Sequence, residues 1–447
     1  MRYKREGGKR MAEVVNVTKL IDGRKIGGFQ YLVALLCAAT VFLDGYDTQS
    51  IAFVAPSIAH ELHLTRPELG PLFVASLVGL FFGALGFGPL ADKVGRRAVI
   101  IVCTIVFGAF TVAAATATSL GGLLIFRFIA GLGLGGAMPN GIALTAEYAP
   151  ERRRATVVMI MFTGFSLGAA FGGAIAATLI PTYGWRSVWY VGGILPLLLV
   201  PIQYFALPES IRFLIVTDAE GARIGPLLRR IDRAFAPPRG ARYEVDEMHA
   251  HGVPVAHLFR QRRAFGTFML WIMFFTNLLS IFFLQNWIPT MAHDTGLAIR
   301  TAVIIGTMFQ IGGVLGSLLI GWPIDKFGPY AVIPLLFAFA VVFVALIGVS
   351  VGSAAALMAV TFGAGFCIVG GQNSANALAA IFYPTAMRAT GVGWALGVGR
   401  IGGILGPLIA GVLLAGHMGY GALFLLGALA PLCATVAVFS MGRVYRS

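Results

Sequence analysis

The sequence predicts an all-α membrane protein with twelve transmembrane helices, arranged as two six-helix halves in parallel repeat. Three observations lead there: a composition too apolar for a soluble domain, long apolar stretches recurring from end to end, and motif echoes at a nearly constant offset. Of the 447 residues, 58% are hydrophobic and 12% charged. That is about half the charged share of an ordinary soluble domain, and the mean hydropathy is +0.84.

Apolar stretches of about 18 to 25 residues are long enough to cross a hydrocarbon core of about 30 Å as helices. They are expected at 29-53, 69-90, 98-117, 121-147, 156-180, 187-207, 264-288, 300-322, 330-350, 353-380, 390-415 and 419-441. A β-barrel is excluded, because its strands would read as alternating segments of about ten residues. Helices satisfy their own backbone groups in lipid.

The net charge of +14 invites a nucleic-acid partner, but the placement of Lys and Arg argues for membrane topology instead. With the N-terminus inside, 28 of the 33 fall on the cytoplasmic side, only Arg66, Arg186 and Arg300 fall outside, and Arg127 and Arg400 lie within spans. Both termini are therefore expected in the cytoplasm. The domain plan is a cytoplasmic tail over 1-28, a first half over 29-207, a cytoplasmic loop over 208-263, a second half over 264-441 and a tail over 442-447. The basic tail reads as disordered. No short apolar segment of a cleavable signal peptide precedes the first span.

Cys37, Cys103, Cys367 and Cys433 are scattered singly through apolar spans, without the close spacing of a metal or redox site. They read as packing residues. No catalytic constellation, metal site or cofactor is expected, and the chain is not read as an enzyme.

The repeat is visible in three echoes. Gly88-Pro89-Leu90-Ala91-Asp92-Lys93-Val94-Gly95-Arg96-Arg97 is matched by Gly321-Trp322-Pro323-Ile324-Asp325-Lys326-Phe327-Gly328, with the aspartates 233 apart. Arg154-Ala155-Thr156 is matched by Arg388-Ala389-Thr390, 234 apart, followed by Gly168 and Gly172 in one copy and Gly402 and Gly406 in the other. Pro56 and Pro289 are again 233 apart. Parallel repeats of six helices are a transporter design, in which the substrate binds near the midplane and the halves rock around it.

The stretch GPLADKVGRR resembles the loop signature of the major facilitator superfamily between its second and third helices, with Lys93 where Arg is usual. The resemblance implies gating at this loop: Gly88, Asp92, Gly95, Arg96 and Arg97, with Asp325, Lys326 and Arg388 in the second copy, hold the halves together on the cytoplasmic side when the cavity faces outward. As a bare reading, the same loop is a topogenic basic cluster.

Charges inside the membrane cost at least about 2.5 to 3.5 kcal/mol each, so each should be paired or functional. Asp44 and Asp47 lie three residues apart in the first span, about one turn from each other on one helix face. Two carboxylates so close in a poorly solvated place cannot both ionise cheaply, which suits a proton carrier. The competing reading pairs one of them with Arg127 to fasten two helices. At the repeat offset the second half carries Asn277 and Ser280 instead, which favours chemistry over scaffolding.

Arg127, in the fourth span, can neutralise an aspartate or meet a substrate anion. Glu147, at the other end of that span, can relay protons or form an interfacial ion pair with Arg152 to Arg154. Arg400, unmatched in the first half, can clamp an anion through its guanidinium fork or cap backbone carbonyls. Asn277, Gln372, Asn373 and Asn376 supply neutral groups that can orient a substrate hydroxyl or fasten helices to each other.

Within the superfamily, DGYDTQSIAFVAPSIA resembles the aromatic acid:proton symporter family, whose mark is two aspartates flanking a Gly-aromatic pair, here Asp44 and Asp47. The resemblance extends through Arg127, Glu147, Pro208-Glu209-Ser210-Ile211-Arg212-Phe213-Leu214, Arg388 and Arg400. It implies import of a small aromatic acid together with protons across a bacterial inner membrane, with proton coupling at Asp44 and Asp47; Glu147 is the further candidate for proton relay from the residue reading above. On the reading of the residues above, Arg127, Arg400, Asn277, Gln372, Asn373 and Asn376 are the candidates for substrate contact. The partners expected are substrate, protons and the lipid bilayer, with no nucleic acid, and the chain is expected to act as a monomer. Competing readings are a sugar or organic-acid porter, an efflux antiporter, whose fifth-helix signature is nearly present in Gly164 to Gly173 but has Ala169 for proline, and a membrane sensor.

Overall fold

In the computed structural model, residues 14–217, 223–236, 241–244, 258–260, 263–383 and 388–445 are described. The side chains of Asp92, Asp325 and Arg388 lie outside the described part.

Twelve helices among the described residues are long and apolar enough to cross a membrane. In order the spans are Gly28–Glu61, Arg66–Val94, Arg96–Ala115, Leu120–Tyr148, Glu151–Tyr183 and Trp185–Ala206, then Ala264–Asp294, Ile299–Leu319, Pro329–Val349, Ala354–Phe382, Arg388–Ala415 and a twelfth in two pieces, Tyr420–Gly427 and Leu429–Tyr445. The first and seventh run well past their expected ends at 53 and 288. Hydropathy marks only the part of a helix in hydrocarbon. The 34 residues of the first span reach about 51 Å at 1.5 Å each, and its far end carries the polar His60 and Glu61 into the aqueous boundary.

Packing repeats with the sequence. The first helix lies on the fifth and the second on the fourth, while six helices later the seventh lies on the eleventh and the eighth on the tenth. The glycine echo explains the close approach: a Cβ on Gly168 would strike the Phe42 backbone of the first helix, and one on Gly402 would strike the Phe275 backbone of the seventh. The halves meet through second-on-eleventh and fifth-on-eighth contacts, with the first helix against the seventh. These are equivalent pairs under exchange of the two halves.

The apolar core is divided unevenly along the molecule. At the face opposite the termini one cluster joins both halves, running through Phe53, Phe73, Trp189, Trp287, Met291 and Phe309. At the terminal face each half keeps its own, one around Val33, Tyr148 and Leu207 and one around Phe274, Phe337 and Met441. The halves are thus joined at the far face and part toward the terminal one.

The basic tail is not wholly disordered. A strand β1 (Val14–Asn16) pairs in parallel with β2 (Arg242–Glu244) of the central loop, Val15 opposite Tyr243. Asn16 caps the short helix Val17–Asp22 that follows. Val17 and Ile21 are buried with Ile224, Leu227 and Leu228 of the loop against the first half. Three apolar residues spaced among charges are too faint a pattern to read without knowing that the loop supplies their partners.

Candidate functional site

The four consecutive residues of the motif Asp44-Gly45-Tyr46-Asp47 point in four directions, because successive helical residues turn by about 100°. Asp47 Oδ1 lies 2.9 Å from Arg127 Nη1 of the fourth span and accepts a 2.9 Å hydrogen bond from Thr111 of the third. A Cβ on Gly45 would collide with the Phe165 backbone, so glycine lets the fifth span lie against the first. Tyr46 donates to the Val188 carbonyl of the sixth at 2.9 Å. Asp44 accepts from Thr48 at 3.1 Å on its own helix.

The two aspartates are therefore not equivalent. Asp47 and Arg127 both have side chains 0% exposed. The guanidinium also lies 5.2 Å over the Trp189 ring, whose indole donates to Ser50 at 2.9 Å, and Ser50 in turn donates to the Asp47 carbonyl. A buried pair held this way is a closed unit, since removing either partner would leave a charge in the membrane interior. Arg127 is committed to Asp47 and has no surface to offer a substrate. In this conformation Arg127 makes the ion pair of the alternative reading.

Asp44, 2% exposed, has no cation paired with it in its own half among the described residues. Its charge interacts instead with that of Arg400, on the eleventh span of the other half. No direct ion pair joins them among the described residues. Arg400 is partly exposed between the halves and makes no hydrogen bond to another described residue. Its guanidinium fork is free to meet an anion.

In the second half Asn277 donates from Nδ2 to the Ile368 carbonyl at 3.2 Å and to Gln372 at 2.9 Å, and Gln372 donates to Asn376 at 3.3 Å. These three amides form a chain in which the buried Asn277 Oδ1 accepts no hydrogen bond from the described residues. Asn373 is not part of it: it is exposed and donates to Ser317 of the eighth span. Ser280, the counterpart of Asp47, donates to the Thr276 carbonyl of its own helix. Thr361, the counterpart of Arg127, is buried and uncharged.

Glu147 stands about 30 Å along the fourth helix from Arg127, twenty residues at 1.5 Å each. The structure does not bring it to the aspartates. Glu147 Oε1 lies 3.2 Å from Arg96 Nη1, and its other oxygen accepts from Ser210 at 2.6 Å. Its cation is Arg96, rather than any of Arg152 to Arg154. Beside it the Glu209 carboxylate accepts from the backbone N–H of Arg97 at 3.1 Å and of Ser210 at 2.8 Å. The Arg97 guanidinium bonds the Tyr204 carbonyl and lies 5.4 Å over its ring.

Gly95 closes this cluster with φ +99°, and a Cβ there would meet the Glu209 carboxylate. Glycine is required on both counts. The basic loop and the Pro-Glu-Ser segment, separate in sequence, are thus one terminal-face assembly. In the second copy Lys326 is exposed, over the rings of Trp322 and Phe327.

The family model for the Major Facilitator Superfamily matches residues 37–290 and 270–446. The chain belongs to this superfamily. Among its relatives are the 4-hydroxybenzoate transporter PcaK of Pseudomonas aeruginosa, 42% identical over 409 residues and covering 90% of each chain, and a gallate transporter of Pseudomonas putida, 40% identical over 430 residues, covering 96% of this chain and 95% of that one. Among solved structures, the xylose transporter XylE from E. coli in a partially occluded inward-open conformation superposes with a TM-score of 0.71 at 15% identity, covering 94% of this chain and 100% of the other.

Superfamily members are transporters rather than enzymes. The residues that sequence reasoning missed are those around its intramembrane charges: Thr111 and Trp189 about the ion pair, and Gln49, which accepts from Gln310 of the eighth span at 2.6 Å. Gln49 carried a readable signal, an amide in an apolar span two residues after Asp47. Thr111 and Trp189 carried none, being ordinary residues of apolar helices.

Proposed function

We propose that the protein is a proton-coupled symporter that imports a small aromatic carboxylate by alternating access, acting as a monomer in the bacterial inner membrane with both termini in the cytoplasm. Residues 29-207 and 264-441 are its rocking halves, and the tails and the 208-263 loop are cytoplasmic. The observation that carries the reading is that Asp44 and Arg400 lie on different halves and near enough for their charges to interact, in a chain about 40% identical to transporters of 4-hydroxybenzoate and gallate.

Arg400 receives the substrate carboxylate, and the amide chain of Asn277, Gln372 and Asn376 meets its ring hydroxyl. In the absence of substrate the charge opposite Arg400 is Asp44. An arriving carboxylate takes over Arg400, which leaves Asp44 with no compensating cation among the described residues of its own half and so favours its protonation. Proton and anion then travel together. The coupling has a purpose, because an anion entering a negative interior is opposed by about 2.3 kcal/mol per 100 mV. The Asp47–Arg127 pair keeps its charges balanced throughout. The terminal-face assembly of Arg96, Arg97, Glu147 and Glu209 braces the gate and takes no part in proton carriage.

The test is uptake of radiolabelled 4-hydroxybenzoate into proteoliposomes. Accumulation above equilibrium with acid outside, abolished by a protonophore, supports the reading. Uptake indifferent to the gradient removes the coupling, and no uptake of any of a panel of aromatic acids removes the substrate class.

A further inference from the structure

The far face carries a second ionic assembly, and the repeat shows how it arose. At the end of the first span Glu61 accepts a 2.7 Å hydrogen bond from the Trp185 indole and pairs with Arg186, whose guanidinium lies 4.4 Å over the Trp185 ring. Acid, aromatic donor and cation all belong to the first half. At the repeat offset, Asp294 ends the seventh span and Tyr420 begins the twelfth, 233 residues after Glu61 and 234 after Arg186.

The chemistry is the same in the second copy. Tyr420 donates its hydroxyl to Asp294, and a guanidinium lies 5.1 Å over the tyrosine ring and 3.1 Å from the Asp294 carboxylate. That guanidinium is Arg66, at the start of the second span in the other half. Because tyrosine stands where the first half has arginine, Asp294 has no cation of its own among the described residues and takes one across the interface. A tie that is internal in the first copy has become a tie between halves in the second.

We propose that the Arg66–Asp294–Tyr420 assembly is the latch of the outer gate, closed here and released when the halves rock to open the far face. Its position fits: it sits at the rim above the apolar cluster that joins the halves, where Phe73 and Trp287 meet edge to face at 5.3 Å and the Trp287 indole donates to the Pro407 carbonyl of the eleventh span at 3.2 Å. On opening, the apolar contacts part and Arg66 leaves with the first half, while Tyr420 keeps its hydrogen bond to Asp294. The Glu61–Trp185–Arg186 assembly moves as one piece and is unaffected. The inference rests on the two halves rocking and is independent of which solute is carried.

The experiment reads accessibility without substrate. Thr307 of the eighth span is buried against Gly173 of the fifth, between the halves, about eight residues below the far rim. A Thr307→Cys protein is labelled with a membrane-impermeant maleimide from the far face, with the Thr307 protein as background. Arg66→Gln and Asp294→Asn should each raise the labelling rate about two- to fivefold, the range a partly exposed ion pair supplies. The double exchange Arg66→Asp with Asp294→Arg should restore it. Arg186→Gln, which cuts the internal tie, should leave it unchanged. Equal labelling in Arg66→Gln and the parent, or an increase in Arg186→Gln as large as in Arg66→Gln, would overturn the proposal, and so would a double exchange no better than the singles.

Discussion

Asp47 and Arg127 form an ion pair at 2.9 Å with neither side chain exposed, while Asp44, one turn away on the same helix, is paired with no cation of its own half among the described residues. This pairing distinguishes two aspartates that look interchangeable in sequence, and under the proposed function Asp44 is the one that carries the proton.

The first expectation concerns stability. Asp47→Asn or Arg127→Gln alone leaves its partner charged and buried, and should destabilise the protein by about 3–5 kcal/mol. The double variant removes both charges and should cost less than either single. Thermal unfolding of the four proteins in one detergent checks this. Additive losses in the double variant would mean that the two residues act separately.

How far the sequence reaches is clearest at this motif. Twelve spans, the two-half repeat and the presence of Asp44, Asp47 and Arg127 as charges within the spans are all readable from hydropathy, offset and the cost of intramembrane charge. Which aspartate Arg127 chooses is not, because residues three apart share a face and their division depends on Thr111 and Trp189 arriving from other helices. The terminal-face assembly was half legible. The loop containing Arg96 and Arg97 and the segment containing Glu209 are each recognisable, but their contact lies more than a hundred residues apart in the chain. The partners of Glu147 and the ordering of Val14 to Asp22 were hidden for the same reason.

A second expectation separates two glycines of one loop. Gly95→Ala forces a side chain into positive φ and against the Glu209 carboxylate, and should cost about 1–3 kcal/mol. A methyl group on Gly88 would stand in open space in this conformation, so Gly88→Ala should melt with the parent. Equal melting temperatures for all three proteins would contradict the docking of Glu209 on this loop.

For Arg400 the expectation is selective. A guanidinium–carboxylate contact is worth about 1.5–3 kcal/mol, so Arg400→Ala should raise the Kd of an aromatic acid roughly 10- to 150-fold. The Kd of the corresponding amide should change little. Calorimetric titration of both ligands distinguishes this from a packing role, which would weaken both alike.

The central claim is that Asp44 carries the proton. Its most direct test is Asp44→Asn in proteoliposomes loaded with unlabelled 4-hydroxybenzoate or facing a pH gradient. The claim predicts that labelled substrate still exchanges for unlabelled substrate across the membrane, while accumulation driven by the pH gradient is lost. Gradient-driven accumulation equal to that of the parent protein would contradict it.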